Sequence, residues 1–183
     1  MDRVPHPVGP RITARTAYRI APLVRPNGLY RRLAARLQRL PHVLRLFTAA
    51  ERRSKEVLFG CRMCGQCALP ATAYACPMTC PKQLRNGPCG GVAPNGDCEV
   101  YPGERCVWLV AYERAEATGH TADLGLLHRP VDQRLHGSSS WVNYWLGRDE
   151  GLWTDATGPA PPSVHRAPVA LGIPHVPTGR SSR

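Results

Sequence analysis

The sequence lacks an apolar run of 18 residues, so it predicts no transmembrane helix. Its first twenty residues contain arginine and proline where a secretory signal peptide needs an apolar core. The pair Arg31 and Arg32 is followed by a segment too charged for a twin-arginine signal. We therefore expect a cytoplasmic protein, in a compartment that keeps thiols reduced.

Motifs of a self-sufficient enzyme are also missing. The sequence has no G-x-G-x-x-G fingerprint, no phosphate-binding loop and no Ser-His-Asp constellation. His120, His128 and His136 lie apart from the cysteines, and a reactive-cysteine enzyme needs one activated thiol rather than eight clustered ones. We expect no catalytic residue in this chain.

Acidic residues are scarce at the N-terminal end. The first 58 residues contain only Asp2, Glu51 and Glu56 against 13 arginines and lysines, and they carry nearly all of the net charge of +11. Such charge suits a partner protein, an anionic membrane surface or nucleic acid. The region has few aromatic residues to stack on bases, which disfavours nucleic acid.

Cysteine is abundant and confined to one stretch. All eight cysteines lie within 46 residues, which we call the cysteine-rich segment. They are Cys61, Cys64, Cys67, Cys76, Cys80, Cys89, Cys98 and Cys106. The segment also holds six prolines and six glycines but few large apolar residues, so burial alone cannot organise it. Because a reducing compartment disfavours disulfides, we expect these thiols to bind metal.

The first three cysteines have the spacing of an iron–sulfur tripod. Two residues separate Cys61 from Cys64 and Cys64 from Cys67, as in bacterial-type ferredoxins, whose fourth ligand is a cysteine followed by proline. Both Cys76 and Cys80 precede a proline, but neither stands at the ferredoxin spacing. The pattern favours at least one [4Fe-4S] cluster and leaves its fourth ligand open.

Zinc is the alternative metal. Structural zinc is typically held by two C-x2-4-C pairs, and Cys76 with Cys80 forms such a pair. Cys89, Cys98 and Cys106 would complete a second site. The cysteine-rich segment has no histidine, so the ligands of either metal would all be sulfur. Which cysteines share a site stays open, and the net negative charge of such sites could be offset by Arg62, Lys82, Arg85 and Arg105.

Cys89 stands in the glycine-rich stretch NGPCGG. Glycines on both sides allow a backbone N–H group to turn toward the sulfur, and such hydrogen bonds tune a metal–thiolate site. A simple chain reversal is an equally good interpretation of the same residues.

The whole pattern predicts a small α-rich, metal-stabilised irregular module, with short helices flanking a cysteine-rich loop core and little or no sheet. The expected parts are an extended basic arm (1–26), amphipathic helices (27–58), a cysteine-rich metal-binding domain (59–150) and a disordered proline-rich tail (151–183). Asn27 is expected to cap the first amphipathic helix, and Pro41 to end it or start the next.

Two more helices are expected after the cysteine-rich segment. One follows Cys106 and ends at Gly119, and the other begins at Ser138–Ser140. We expect the helices around three tryptophans to wall the metal sites: Trp108, Trp141 and Trp145.

Four blocks of sequence carry a family resemblance: KEVLFGCRMCGQC, CPMTCPKQLRNGPCGG, GDCEVYPGERCVWLVAYERA and SSSWVNYWLG. In this order they resemble the cysteine-rich C-terminal domain of methylenetetrahydrofolate reductases. That domain also occurs as the separate small subunit of two-subunit bacterial reductases. The resemblance spans roughly Glu51 to Gly147.

The resemblance implies an accessory subunit of an oxidoreductase that is not active alone. The catalytic partner in that family is a (βα)8-barrel flavoprotein, so FAD or FMN would be bound only by the partner. The cysteine-rich subunit would hold iron–sulfur and/or zinc sites through its eight cysteines and pass electrons to the flavin. Ferredoxin or another electron donor would supply them.

Two other functions are compatible with the cysteines. One is a purely structural zinc module that stabilises or regulates a partner enzyme. The other, which the family blocks do not favour, is a zinc-bearing nucleic-acid-binding protein whose basic arm contacts phosphates.

Overall fold

The computed structural model describes residues 9–149 and 151–154. Within them lie five α-helices: α1 (Ala14–Ile20), α2 (Gly28–Arg39), α3 (Pro41–Phe59), α4 (Val107–Glu116) and α5 (Ser140–Trp145). Short 3-10 helices cover Ala21–Val24, Leu69–Ala71, Pro77–Thr79, Thr121–Gly125 and Gln133–Leu135. Two antiparallel strands of two residues each are β1 (Leu127–His128) and β2 (Trp153–Thr154). The helix-rich fold with almost no sheet confirms that part of the predicted fold class.

The two amphipathic helices form where their capping residues predict them. The Asn27 side chain accepts a hydrogen bond from the Tyr30 N–H at 2.8 Å and so caps α2. Pro41 is the first residue of α3, where its missing N–H costs nothing. Gly60 ends α3 in a left-handed conformation and leads directly into the first cysteine.

The N-terminal segment differs from the predicted extended arm over its described part. Residues 14–20 form α1. Thr13 caps this helix, and its hydroxyl accepts a hydrogen bond from the Thr16 N–H. Ala17 is fully buried in a cluster that includes Tyr74 and Cys76, and the ring of Tyr18 meets that of Tyr74 edge-on at 4.9 Å between centroids. The short sequence of α1 has no strong helical periodicity, because the helix depends on this distant contact for its stability.

An aromatic cluster joins the N-terminal helices to α5. Tyr30 of α2 stacks on Trp145 at 4.7 Å between ring centroids, and Phe47 of α3 lies near both Trp141 and Trp145. The Trp145 indole N–H donates to the Val24 carbonyl at 2.9 Å. Residues more than 100 positions apart therefore share one core. The predicted cap of α5 is also present, because the Ser139 hydroxyl accepts a hydrogen bond from a backbone N–H of its first turn.

The predicted disordered tail begins too early. Leu152 is buried, its carbonyl accepts a hydrogen bond from the Arg129 N–H at 2.8 Å, and Trp153 pairs with His128. Burial of the Leu152 side chain orders the residues around it, although the sequence there has the composition of a disordered tail. The rest of the predicted tail, 155–183, lies outside the described residues. No helix of the described ranges is long and apolar enough to cross a membrane.

We expect Trp145→Ala to lower the free energy of unfolding by about 3 to 5 kcal/mol. The change removes the stacked ring and leaves the Val24 carbonyl without its donor. Urea denaturation followed by circular dichroism measures the loss. Tyr144→Ala, at an exposed position of the same helix, is the matched control and should change stability by only about 0.5 kcal/mol. Equal losses for the two variants would contradict this description of the core.

Candidate metal centre

The eight cysteines line two separate cavities, four in each. The first cavity is lined by Cys61, Cys64, Cys67 and Cys76. The second is lined by Cys80, Cys89, Cys98 and Cys106. We call these groups the first set and the second set. All eight are free thiols. The first four cysteines along the chain line one cavity, and the last four line the other.

The first set lies at the end of α3, and its thiols interact with one another. The interaction between the Cys61 and Cys76 thiols raises the pKa of Cys61 and lowers that of Cys76. Burial raises the pKa of Cys67 to about 11. The Cys64 thiol donates to the Gln66 carbonyl at 3.1 Å. Four ionised thiolates would be costly here without a cation.

Two of the cysteine sulfurs accept a hydrogen bond from the backbone N–H two residues further along the chain. The pairs are Met63 with Cys61 at 3.3 Å and Gly91 with Cys89 at 3.4 Å. An N–H donor stabilises the thiolate over the thiol, and such bonds orient and tune metal ligands. The Gly91 N–H lies 3.4 Å from the Cys89 sulfur, which is the first of the two interpretations of the glycine-rich stretch.

Left-handed backbone at residues other than glycine is concentrated in the cysteine-rich segment. Met63, Ala73, Tyr74 and Gln83 all have φ between 46° and 61°. This conformation costs on the order of 1 kcal/mol or more for such residues, and it persists where the surroundings impose it. Met63 is the residue whose N–H reaches Cys61. Strain at that position is thus coupled to a hydrogen bond on a candidate ligand.

The second set lies nearer the protein surface. Cys89 is exposed, and its thiol is 3.7 Å from the Glu99 carboxylate, which also pairs with Lys82. A small turn structure holds Cys98 and Cys106, whose N–H groups donate to the carbonyls of Glu104 and Gly96. Cys61 and Cys76 of the first set are buried, Cys89 of the second set is exposed, and the other five cysteines are partly buried.

The basic residues expected to offset the charge of the metal sites have different partners. Lys82 pairs with Glu99, and Arg105 pairs with Glu113. Arg85 instead points into the protein. Its guanidinium donates a hydrogen bond at 2.6 Å to the carbonyl of Gln66, which lies between Cys64 and Cys67 in the sequence. Its Nη1 atom is buried and has no hydrogen-bond partner among the described residues.

A buried ion pair beside the first set was not anticipated from the sequence. Lys55 and Glu51 of α3 are 4% and 1% exposed, and their charged atoms are 2.5 Å apart. The Lys55 ammonium also donates to the Ser140 hydroxyl at 2.6 Å. Glu51 accepts from the Ser139 hydroxyl and from the Trp141 N–H, which anchors the start of α5. The available signal was that Glu51 and Lys55 share a helix face with buried Phe59.

The tryptophans expected to wall the sites take three positions. Trp108 lines the second cavity, and its indole N–H donates to the Leu84 carbonyl. The ring of Trp141 lies 4.5 Å from the Lys55 ammonium. Trp145 packs on α2 instead.

The donor chemistry of both sets fits a sulfur-liganded metal group. Each set offers four free thiols around one cavity, and backbone N–H groups already point at their sulfurs. Within 9–149 and 151–154, the side chains form no group of three or more that is arranged to hold a single metal ion. The fit therefore rests on the kind and number of donors.

Taken together, the fold and its two thiol sets define a small, helix-rich, cysteine-lined module. A family model described as the methylene-tetrahydrofolate reductase C terminal matches residues 40–134, more than half of the chain. The chain belongs to this family, which confirms the resemblance. The match covers α3, the whole cysteine-rich segment and α4. No curated protein and no solved structure gives a significant match.

We expect Gly65→Ala to destabilise the protein by about 2 kcal/mol. Gly65 has φ of 77°, and an added Cβ would lie 2.1 Å from the Leu135 carbonyl oxygen. The segment between Cys64 and Cys67 would have to move. Urea denaturation of the anaerobically prepared protein measures the effect.

Gly28→Ala is the matched control, because its Cβ would meet no atom within 4 Å. It should leave stability nearly unchanged. A Gly65→Ala protein as stable as the control would contradict the close packing of Leu135 on this turn.

Proposed function

We propose that this chain is the accessory metal-binding subunit of a methylenetetrahydrofolate reductase complex in one-carbon folate metabolism, passing electrons to a partner flavoprotein. The observation that carries the proposal is the division of the eight cysteines into two four-thiol sets within a member of the reductase C-terminal family. Two sets of four match the ligand number of a [4Fe-4S] cluster or a structural zinc ion.

The first set, Cys61, Cys64, Cys67 and Cys76, would hold a [4Fe-4S] cluster. The cysteine tripod spacing supports iron–sulfur, and the cavity lining supports Cys76 as the fourth ligand. Cys80, Cys89, Cys98 and Cys106 would hold a second cluster or a zinc ion. When bound, a cluster supplies one-electron transfer, whereas zinc supplies stability alone.

The residues that the structure describes are mostly helices and cysteine-lined turns, with two strands of two residues each and no (βα)8 barrel. We propose that the barrel subunit binds the flavin and the folate. This chain would receive electrons from ferredoxin or another donor.

Exposed apolar residues of α2, of the N-terminal part of α3 and at Leu40 between the two helices form the surface proposed to contact that subunit. They are Leu29, Leu33, Leu40, Val43 and Leu46. Leu29 and Leu46 expose 72% and 73% of their surface. Residues of α2 on another side, Ala34 and Leu37, pack on α5, so these exposed side chains are left for a partner.

Charge indicates what kind of surface covers these residues. Between residues 3 and 50 the sequence has ten arginines, no lysine and no acidic residue. A second copy of the chain would bring the same positive charge and be repelled. Arginine, unlike lysine, is enriched in protein interfaces. The charge complementarity therefore favours an apolar groove with an acidic rim on the reductase subunit.

Paired cysteine substitutions test the division into two sets. Cys61→Ser with Cys76→Ser removes two ligands of one set, whereas Cys61→Ser with Cys98→Ser removes one ligand from each. We expect the first double variant to keep one of the two metal groups, and the second to lose both or hold both weakly. Metal and sulfide content of anaerobically purified protein gives the readout. Equal losses in the two variants would contradict the division.

Leu46→Glu tests the contact with the reductase subunit. An acidic side chain at this exposed apolar position should weaken binding to the purified flavoprotein subunit about tenfold or more, measured by surface plasmon resonance. Tyr112→Glu on α4, also exposed, is the control and should bind like wild type. Undiminished binding of Leu46→Glu would contradict the assignment, as would wild-type protein that binds only anionic vesicles or only itself.

A further inference from the structure

We propose that Arg85 is a positioning residue of the first set: its guanidinium, oriented by His128, holds the turn between Cys64 and Cys67 and offsets the negative charge that the Cys64 sulfur carries as a metal ligand. This inference rests on the proposed function, since it requires a metal group at the first set.

Arg85 and Cys64 bind the same oxygen atom. The Nη2 atom of Arg85 lies 2.6 Å from the Gln66 carbonyl oxygen, and the Cys64 sulfur lies 3.1 Å from that oxygen. The guanidinium nitrogen and the sulfur are therefore no further apart than the sum of these two distances. That separation is short enough for the cation to act directly on charge at the sulfur.

Metal binding changes what the Gln66 carbonyl accepts. The free Cys64 thiol donates a hydrogen bond to it, but a metal-bound sulfur has lost its proton, and two electron-rich atoms would then face each other at 3.1 Å. The hydrogen bond from Arg85 to the same oxygen does not depend on that proton. The guanidinium thus keeps the carbonyl satisfied, and its positive charge offsets the repulsion.

His128 holds the guanidinium in this position. Its Nδ1 atom lies 3.1 Å from Nη2 and 3.3 Å from Nε of Arg85. Because a guanidinium can only donate, Nδ1 is the acceptor and the ring is neutral. Burial, together with the charge of Arg85, lowers the pKa of His128 to about 3, so the ring stays neutral at physiological pH. His128 therefore orients the cation without adding a second positive charge.

The residue next to Arg85 fixes the backbone of the same histidine. The Asn86 side chain accepts a hydrogen bond from the His128 N–H at 2.7 Å and donates one to the His128 carbonyl at 2.8 Å. The His128 ring also meets Trp153 edge-on, at 3.8 Å between centroids. His128 is only 6% exposed. A buried network of this kind fixes the guanidinium more firmly than a solvent-exposed ion pair would.

The rest of the turn between Cys64 and Cys67 is held by neutral groups. The Gly65 carbonyl accepts a hydrogen bond from the Asn143 side chain at 2.8 Å, and the Gln66 side chain accepts one from the Asp132 N–H at 2.7 Å. Of the three contacts to this turn, the one from Arg85 alone brings a charge. Arg85 is thus the contact that can respond to charge on the sulfur.

The guanidinium has charge and a donor left over. Its Nη1 atom is buried without a hydrogen-bond partner, and no carboxylate of the described residues forms an ion pair with it. Lys82, Arg105 and Arg134 are instead exposed and paired with acidic side chains. A partly buried cation without a counter-charge is costly. Four thiolates around Zn²⁺ or a [4Fe-4S]²⁺ core, with a net charge of about −2, would supply that counter-charge.

The experiment uses the full chain, prepared anaerobically with its metals. Arg85→Gln removes the charge, and Arg85→Lys keeps it. Lys82→Gln is the matched control, because it removes one positive charge beside the second cavity. Circular dichroism confirms folding, and metal release to a chelator is followed as two phases. The double variant Cys61→Ser with Cys76→Ser assigns the phase that belongs to the first set.

A second pair of variants tests the role of His128, and it serves if Arg85→Gln fails to fold. His128→Asn keeps a side-chain acceptor near the place of Nδ1, whereas His128→Leu removes the acceptor. Comparing the two separates the loss of the hydrogen bond from the loss of the ring.

We expect Arg85→Gln to release metal from the first set about tenfold faster than wild type, with release from the second set unchanged. Lys82→Gln should leave release from the first set unchanged. Arg85→Lys and His128→Asn should release first-set metal at nearly the wild-type rate, and His128→Leu should release it faster than His128→Asn. If the first set holds iron, Arg85→Gln should also have a more negative midpoint potential, because the lost positive charge disfavours the added electron. A purely structural contact would not shift that potential in a folded variant.

The results that would overturn the inference differ in what else they overturn. A folded Arg85→Gln protein with wild-type release from the first set would remove the role of Arg85 and leave the proposed function intact. Equal release from folded His128→Leu and His128→Asn would likewise remove the orienting role of His128. Wild-type protein that binds no metal at the first set would remove the proposed function, and this inference with it.

Discussion

Four thiols that share one enclosed cavity impose the constraint on which the rest of the structure depends. Cys61, Cys64, Cys67 and Cys76 would carry negative charge as metal ligands, and buried charge must be paired or hydrogen-bonded. Backbone N–H groups supply part of that stabilisation, which requires a left-handed residue at Met63.

Segments distant in sequence close around this cavity. α3 leads into Cys61, α1 places Ala17 against Cys76, and α5 brings Ser140 to the cavity lining. Aromatic contacts of α2 and α3 with α5 fix the position of α5. In the second set, Cys89 is exposed and the other three cysteines are partly buried.

Local signals in the sequence predicted the elements that depend on local chemistry. Asn27 and Pro41 marked the helix starts, and the glycines around Cys89 marked an N–H directed at sulfur. The missed features depend on contacts across the chain. Helix α1 is stabilised by Tyr74, and Leu152 by a core that the sequence does not display.

The division of the cysteines also escaped prediction, because spacing does not tell which sulfurs meet. Glu51 and Lys55 are spaced i, i+4, as many exposed pairs on helix surfaces are, and they are buried here because α5, about 85 residues further on, covers them. Family membership, by contrast, could be predicted from blocks of sequence, because recognising them does not require knowing which thiols meet in space.

The most direct test of the account is the metal content and visible spectrum of the anaerobically purified chain, isolated with whatever subunit binds it. The account predicts iron and acid-labile sulfide in the protein, a visible absorption band that dithionite bleaches, and a flavoprotein in the complex. Colourless protein that contains zinc without iron, and no flavoprotein partner, would contradict it.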